Sequence, residues 1–188
     1  MAAILGAQIR GRILESAAKL LEERSFFDIT LGDIAKSTKI SKGTLYYYYS
    51  SKDAILFDIA DHYLTKLSED LLAWVDNEQK DTSLPRLLRY TFSRGVFDKS
   101  GNLRLYLIAD AVSGKGDLRE KLLAKYEYFK SVLAQKITER RPGADGDYLA
   151  WLILTIIDGA LVQSQLHNEA FDAERFLDKT AGMLSEMS

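Results

Sequence analysis

Nine residues between positions 30 and 52 carry groups suited to a phosphodiester ligand: Thr30, Lys39, Ser41, Lys42, Gly43, Thr44, Tyr46, Tyr47 and Lys52. Ser41, Lys42 and Thr44 are short or flexible hydrogen-bonding groups, and Gly43 permits close backbone approach. Tyr46 and Tyr47 join a flat apolar body to a phenolic O–H that can reach a phosphate or a base edge. Thr30 and Lys52 each stand at a predicted helix start, where unsatisfied N–H groups and the positive end of the helix dipole favour an anion. These residue types imply recognition of a nucleic-acid duplex rather than the making or breaking of bonds.

Two short helices must position them. Thr30-Leu31-Gly32-Asp33 reads as a capping box, the Thr oxygen accepting a free N–H while the Asp reaches back. Ser41 reads as the N-cap of the next helix. Ile29, Leu31, Ile34, Ala35, Ile40, Leu45 and Tyr49 are spaced to bury the inner faces. Their partner is a first helix whose stripe is Ile9, Ile13, Ala17, Leu20 and Leu21. Lys39, Ser41, Lys42, Thr44, Tyr46 and Tyr47 remain outside. That is the layout of a helix-turn-helix, whose second helix enters the major groove by its N-terminal end. The charge balance agrees: residues 1–52 carry +3 and the remainder −5, so the part that would meet a polyanion is the basic part.

Helical periodicity continues along the chain. Ser50-Ser51-Lys52-Asp53 opens a long helix with apolar positions Ile55, Leu56, Ile59, Tyr63, Leu67, Leu71 and Trp74. Pro85 follows Ser83 in a first helical turn, where its missing N–H costs nothing, and Pro142-Gly143 ends a charged helix. The tyrosine run 46–49 has strand propensity, but caps flank it and no partner strand is apparent, so it reads as helix. The expectation is an all-α chain of about nine helices, near 7–24, 31–37, 42–48, 51–77, 84–96, 102–112, 117–140, 146–168 and 172–187.

Composition excludes much else. The chain has 188 residues, 47% apolar, enough for one domain or a small one welded to a larger one. It has no Cys, which removes disulfide scaffolds, thiolate metal sites and thiol nucleophiles. His62 and His167 are isolated, and no metal or other cofactor is expected. Glu22/Glu23 and Glu69/Asp70 read as solvated helix faces. Ser113-Gly114-Lys115-Gly116-Asp117 lacks the residue order of a phosphate loop and any preceding strand. No Ser/His/Asp spacing appears, so no catalytic residue is expected. No apolar run reaches the ~18–20 residues of a membrane span. The opening MAAILGAQIRGR lacks a basic segment followed by an apolar one. A cytoplasmic protein without a membrane partner is the expectation.

The stretch FFDITLGDIAKSTKISKGTLYYYYSSKDAIL resembles the DNA-binding domain of TetR-family transcriptional regulators. The resemblance covers about residues 7–67. It rests on an Ile/Thr-rich second helix, a Ser-Lys-Gly-x-Leu-Tyr recognition helix and a Lys at the next helix start. It implies DNA contacts from Thr30, Ser41, Lys42, Gly43, Thr44, Tyr46, Tyr47 and Lys52, with Tyr46 and Lys52 on phosphates. It further implies a homodimeric, repressor-like protein with an effector pocket in its C-terminal helices. The DNA-binding domain would be 1–52, extending to about 67 with the start of the connecting helix; effector binding and dimerisation would fall to 53–188. Two positions depart from the family pattern. Lys39 stands where the inter-helix turn usually carries Gly, at a cost of about 1 kcal/mol if φ is positive. Tyr49 stands where Phe usually closes the recognition helix.

The helix containing Tyr148-Leu-Ala-Trp-Leu-Ile-Leu-Thr-Ile-Ile-Asp-Gly-Ala-Leu-Val-Gln163 is apolar nearly all round and needs protein on both faces. Ala173, Phe176, Leu177, Thr180, Ala181, Leu184 and Met187 form a stripe on the next. Pairing of 146–168 and 172–187 with their copies as a four-helix bundle would satisfy both, with Gly159 and Ala160 allowing close approach. Burial inside a monomer is the alternative. A dimer presents two half-sites about 34–36 Å apart, hence a palindromic operator. Trp74, Tyr90, Phe92, Phe97, Tyr106, Tyr126, Phe129 and Trp151 are candidates for an apolar effector cavity, with Asp110, Thr155 and Asp158 as polar anchors. Aromatic stripes also serve as plain core. Two other readings stay open: DNA binding controlled by a protein partner, or an all-helical binding protein or enzyme with a vestigial helix-turn-helix.

Overall fold

The computed structural model describes residues 2–24, 28–75, 77, 83–98, 101–114 and 117–186. These form nine α-helices and no strand among the described residues: α1 (Ala2–Glu23), α2 (Leu31–Thr38), α3 (Lys42–Tyr48), α4 (Lys52–Val75), α5 (Leu84–Val96), α6 (Gly101–Ser113), α7 (Asp117–Arg140), α8 (Gly146–Gln165) and α9 (Ala173–Glu186). The all-α expectation holds, and most ends fall within two residues of the sequence reading. Helix α1 begins five residues early, because Ala2 to Leu5 propagate a helix well and one Gly does not stop it. Helix α8 ends three residues early. His167 takes φ 50, a left-handed residue that closes the helix while its N–H bonds back to the Ser164 carbonyl at 3.0 Å. Side chains of the expected stripe members Tyr63, Leu67 and Met187 lie outside the described residues.

Two cores hold the chain. The first buries Ile13, Ala17 and Leu21 of α1 against Ile34, Ala35, Leu45 and Tyr49, with Ile55, Leu56 and Ile59 from the start of α4. Leu45 is fully buried and pins α3 in place, a contribution of ~1.5–3 kcal/mol for a side chain of that size. Leu103 and Leu107 of α6 complete this core, so its hydrophobic contacts run well past residue 67.

The second core is built on α8. Its inner face, including Leu149, Ile153, Ile157 and Ala160, packs on α5 and α7, and α9 adds Leu177, Ala181 and Leu184. Gly95 lets α5 lie close to α8: a Cβ there would come within 2.6 Å of Ile157 Cγ2. Contrary to the reading of apolar runs, α8 is long and apolar enough by length and composition to cross a membrane. Its inner face is occupied by the bundle. Of the small pair expected at an interface, Ala160 faces inward and Gly159 faces open space.

Candidate nucleic-acid interface

The turn from α2 to α3 is made by a lysine in a glycine conformation. Lys39 has φ 59 and ψ 43, and the N–H groups of Lys39 and Ile40 return to the carbonyls of Lys36 and Ala35 at 3.1 and 3.0 Å. The sequence departure at this position therefore carries the left-handed cost anticipated for it, about 1 kcal/mol. The lysine side chain is exposed.

Both caps form as read. The Thr30 hydroxyl accepts the Asp33 N–H at 3.1 Å, and the Asp33 carboxylate accepts the Thr30 N–H at 2.9 Å and its hydroxyl at 2.7 Å. These bonds from the Thr30 side chain and backbone hold the Asp33 carboxyl below its usual pKa. Ser41 Oγ accepts the Thr44 N–H at 3.0 Å and lies 2.8 Å from Thr44 Oγ1. Ser41 and Thr44 thus close the start of α3 as well as facing outward.

Around these caps the outer face is open. Tyr46 is 54% exposed and Tyr47 84%, the latter edge-on to Tyr48 with ring centroids 5.2 Å apart. A Cβ on Gly43 would meet nothing closer than Ser41 Oγ at 3.8 Å. The Lys42 side chain lies across the start of α2. A Cβ built on Gly32 would sit 3.4 Å from both Lys42 Nζ and Thr30 Oγ1. Lys52 Nζ donates to the Ile29 carbonyl at 3.0 Å, tying the start of α4 to the entry of α2.

One feature escaped the sequence reading. Tyr49 is 3% exposed; its hydroxyl donates to Asp58 Oδ2 at 2.8 Å and accepts from Arg10 Nε at 3.1 Å, while Arg10 also pairs with Asp58. The Tyr that replaces the usual Phe thus ties α1, α3 and α4 together. Burial, then the bond to Asp58, pushes its pKa up to about 12. Arg10 and Asp58 are 48 residues apart, so no local pattern announces the pair.

The C-terminal candidates divide. Tyr90, Tyr126 and Phe129 line a cavity of about 70 Å³ with Leu71, Leu107 and Leu154. Trp74 stacks on Tyr90 at 4.1 Å and nearly parallel. Asp158 holds the site from behind, accepting from Arg104 at 2.5 Å and from the Tyr126 hydroxyl at 2.6 Å. Burial raises the Tyr126 pKa, with the Asp158 charge second. The other placements correct the expectation. Phe92 is packed in the second core, and Tyr106 packs against the first core. Phe97 and Asp110 are exposed. Trp151 and Thr155 lie on the outward face of α8, because that helix needs only one side for the protomer core. Arg94, Arg104 and Lys125 line the cavity unforeseen; a lone Arg in the apolar run Leu103-Arg104-Leu105 was the available signal. Of the loop-like Ser113–Asp117 segment, Lys115 and Gly116 lie outside the described residues. Among the described residues no cluster of His, Asp or Glu could hold a metal ion.

A capped two-helix unit on a three-helix core, joined to a helical bundle, defines a helix-turn-helix protein. Residues 13–59 match the family model of bacterial regulatory proteins of the tetR family. It is 37% identical over 65 residues to the HTH-type transcriptional regulator EthR of Mycobacterium tuberculosis, 35% of this chain and 30% of that relative's length. Two solved structures extend the likeness to the whole fold. A TetR transcription regulator from Haloarcula marismortui superposes with TM-score 0.79 at 19% identity, over 96% of this chain and 97% of the other. AibR, solved with isovaleryl coenzyme A and operator DNA, superposes with TM-score 0.64 at 18% identity, over 93% and 97%.

Proposed function

We propose that this chain is a cytoplasmic transcriptional regulator. It binds a palindromic operator as a homodimer, acts as a repressor, and releases DNA when a small apolar or amphipathic effector enters the cavity. It has no catalytic task. The observation that carries this reading is α3: its inner residue Leu45 is fully buried, while Lys42, Gly43, Tyr46 and Tyr47 stand outside around an open helix start. Such a surface suits insertion of Lys42 into a major groove, with Thr30, Tyr46 and Lys52 on flanking phosphates. Lys39, Ser41 and Thr44 extend the contact.

Dimerisation is supported by an apolar outer face. Tyr148, Trp151 and Val162 of α8 and Leu166 just after it are 57, 46, 38 and 68% exposed, and Phe176 and Met183 of α9 are 42 and 66% exposed. A second copy of α8 and α9 would cover them, with Gly159 open at the crossing.

Coupling would run through two helices. Helix α4 carries Lys52 at its start and Leu71 at the cavity; α6 puts Leu103 and Leu107 into the first core while Arg104 and Leu107 meet the cavity. An effector that shifts α6 would shift the floor of the helix-turn-helix, and a linkage of about 1–3 kcal/mol is ordinary for such devices. Selection of genomic fragments by the purified protein, followed by affinity measurement against salt, tests the reading. An inverted repeat is expected, with affinity falling steeply as salt rises. Lys52→Ala is expected to flatten the log–log slope by about one unit. Enrichment of no sequence would overturn it.

A further inference from the structure

The cavity contains three cationic side chains, Arg94, Arg104 and Lys125, and no carboxylate contributes to its lining. Two of the cations are balanced from outside that lining. Arg104 is paired with Asp158, and Arg94 with Asp70 at 2.9 Å and Asp98 at 3.6 Å. Lys125 differs. Its ammonium donates to the neutral Thr65 hydroxyl of α4 at 3.1 Å, and among the described residues no carboxylate lies within ion-pairing distance of it. The Arg94 Nε–H is buried without an acceptor. The remaining wall is hydrocarbon and aromatic, from Tyr90, Tyr126, Phe129 and aliphatic side chains of α4, α6, α7 and α8.

A half-buried cation with no counter-charge among the described residues favours an incoming anion. Such an anion recovers an ion pair at Lys125 while disrupting none already formed. An incoming cation would meet three positive groups and no available carboxylate. The volume of about 70 Å³, against the ~10–15 Å³ that one water needs, holds roughly five to seven water-sized groups. That is the size of one small ring or a short branched chain.

We infer that the effector of this site is a compact organic monoanion, an apolar or aromatic body carrying one carboxylate-like head, with the head on Lys125 and the body against Tyr90 and Phe129. The inference rests on the effector-cavity reading above and adds the sign of the ligand's charge. Its test uses three probes of one shape on the full-length protein: benzoate, benzamide and benzylamine, measured by calorimetry at fixed ionic strength. Benzoate is expected to bind at least about tenfold more tightly than the other two. In Lys125→Met that advantage is expected to vanish while benzamide binding stays unchanged; Lys125→Gln serves as a second neutral variant should the first perturb folding. Equal binding of benzoate and benzamide, or a benzoate preference that survives both variants, overturns the charge assignment and leaves the cavity reading intact. Binding of none of the three overturns the cavity reading itself, and this inference with it.

Discussion

Helices α3 and α8 each bury one face and leave the other uncovered, but the uncovered faces are opposites. Outside, α3 and its cap offer an ammonium, a hydroxyl pair, a glycine and two tyrosines; α8 and its cap offer Tyr148, Trp151, Gly159, Val162 and Leu166. A polar exposed face with donors at the helix start suits a phosphodiester ligand and is stable in water without it. An apolar face of that extent is costly in water and suits a second protein surface. On the proposed function the two faces divide recognition from assembly, and substitutions on them should separate cleanly.

The largest effect is expected at α8. Trp151→Glu would place an unpaired charge, twice by symmetry, in the proposed interface, weakening association by about 3–5 kcal/mol. Sedimentation should then show single subunits with unchanged helical circular dichroism, and operator affinity should fall with the loss of paired half-sites.

Next comes the inner side of both helices, tested by alkali. The raised pKa of Tyr49, about 12 against an ordinary value of 10, means that the folded state holds its proton when the unfolded chain has released it. The associated stability is intact below pH 10 and is lost as pH climbs towards 12, a loss of order 2 kcal/mol. Tyr126, raised in the same direction and bonded to Asp158 of α8, adds to it. Denaturant melts across that range should steepen in pH dependence for the native chain and flatten for Tyr49→Phe and Tyr126→Phe.

Gly43→Ala sharpens the case for α3. The space above Gly43 is open, so Ala should stabilise the isolated protein by about 0.5–1 kcal/mol through helix propensity. Operator affinity should nonetheless fall, because the added methyl stands where DNA would approach. A stability gain with no loss of binding would remove α3 from the interface. A smaller contrast is expected at Lys39→Gly: relief of the left-handed strain should raise the melting stability by up to about 1 kcal/mol, while the lost charge trims the salt dependence of binding.

The helix-turn-helix was legible because its determinants are local. The Thr30–Asp33 box, the Ser41 cap, and the spacing of Ile34, Ala35 and Leu45 all act within a few residues, and each forms as read. The cavity was far less so. Tyr90, Tyr126 and Phe129 were identified, whereas Trp151 and Thr155 were expected at the wrong side of α8. An all-round apolar helix does not say which face its neighbours choose. Tyr49 shows the same limit within the legible region: its burial follows from spacing, but the bonds to Arg10 and Asp58 depend on how α1 and α4 cross.

The chain's residues by themselves settled which segments are helical, where most of them begin and stop, and which side chains α3 turns outward. Capping, turn chemistry and 3.6-residue periodicity act between near neighbours, whatever the rest of the chain does. Only the tertiary structure decided that α6 reaches both the first core and the cavity, that Arg104 is answered by Asp158, and that Lys125 meets the cavity with no counter-charge among the described residues. Those pairings join residues separated by tens of positions, and the packing of whole helices, rather than any local preference, brings them together.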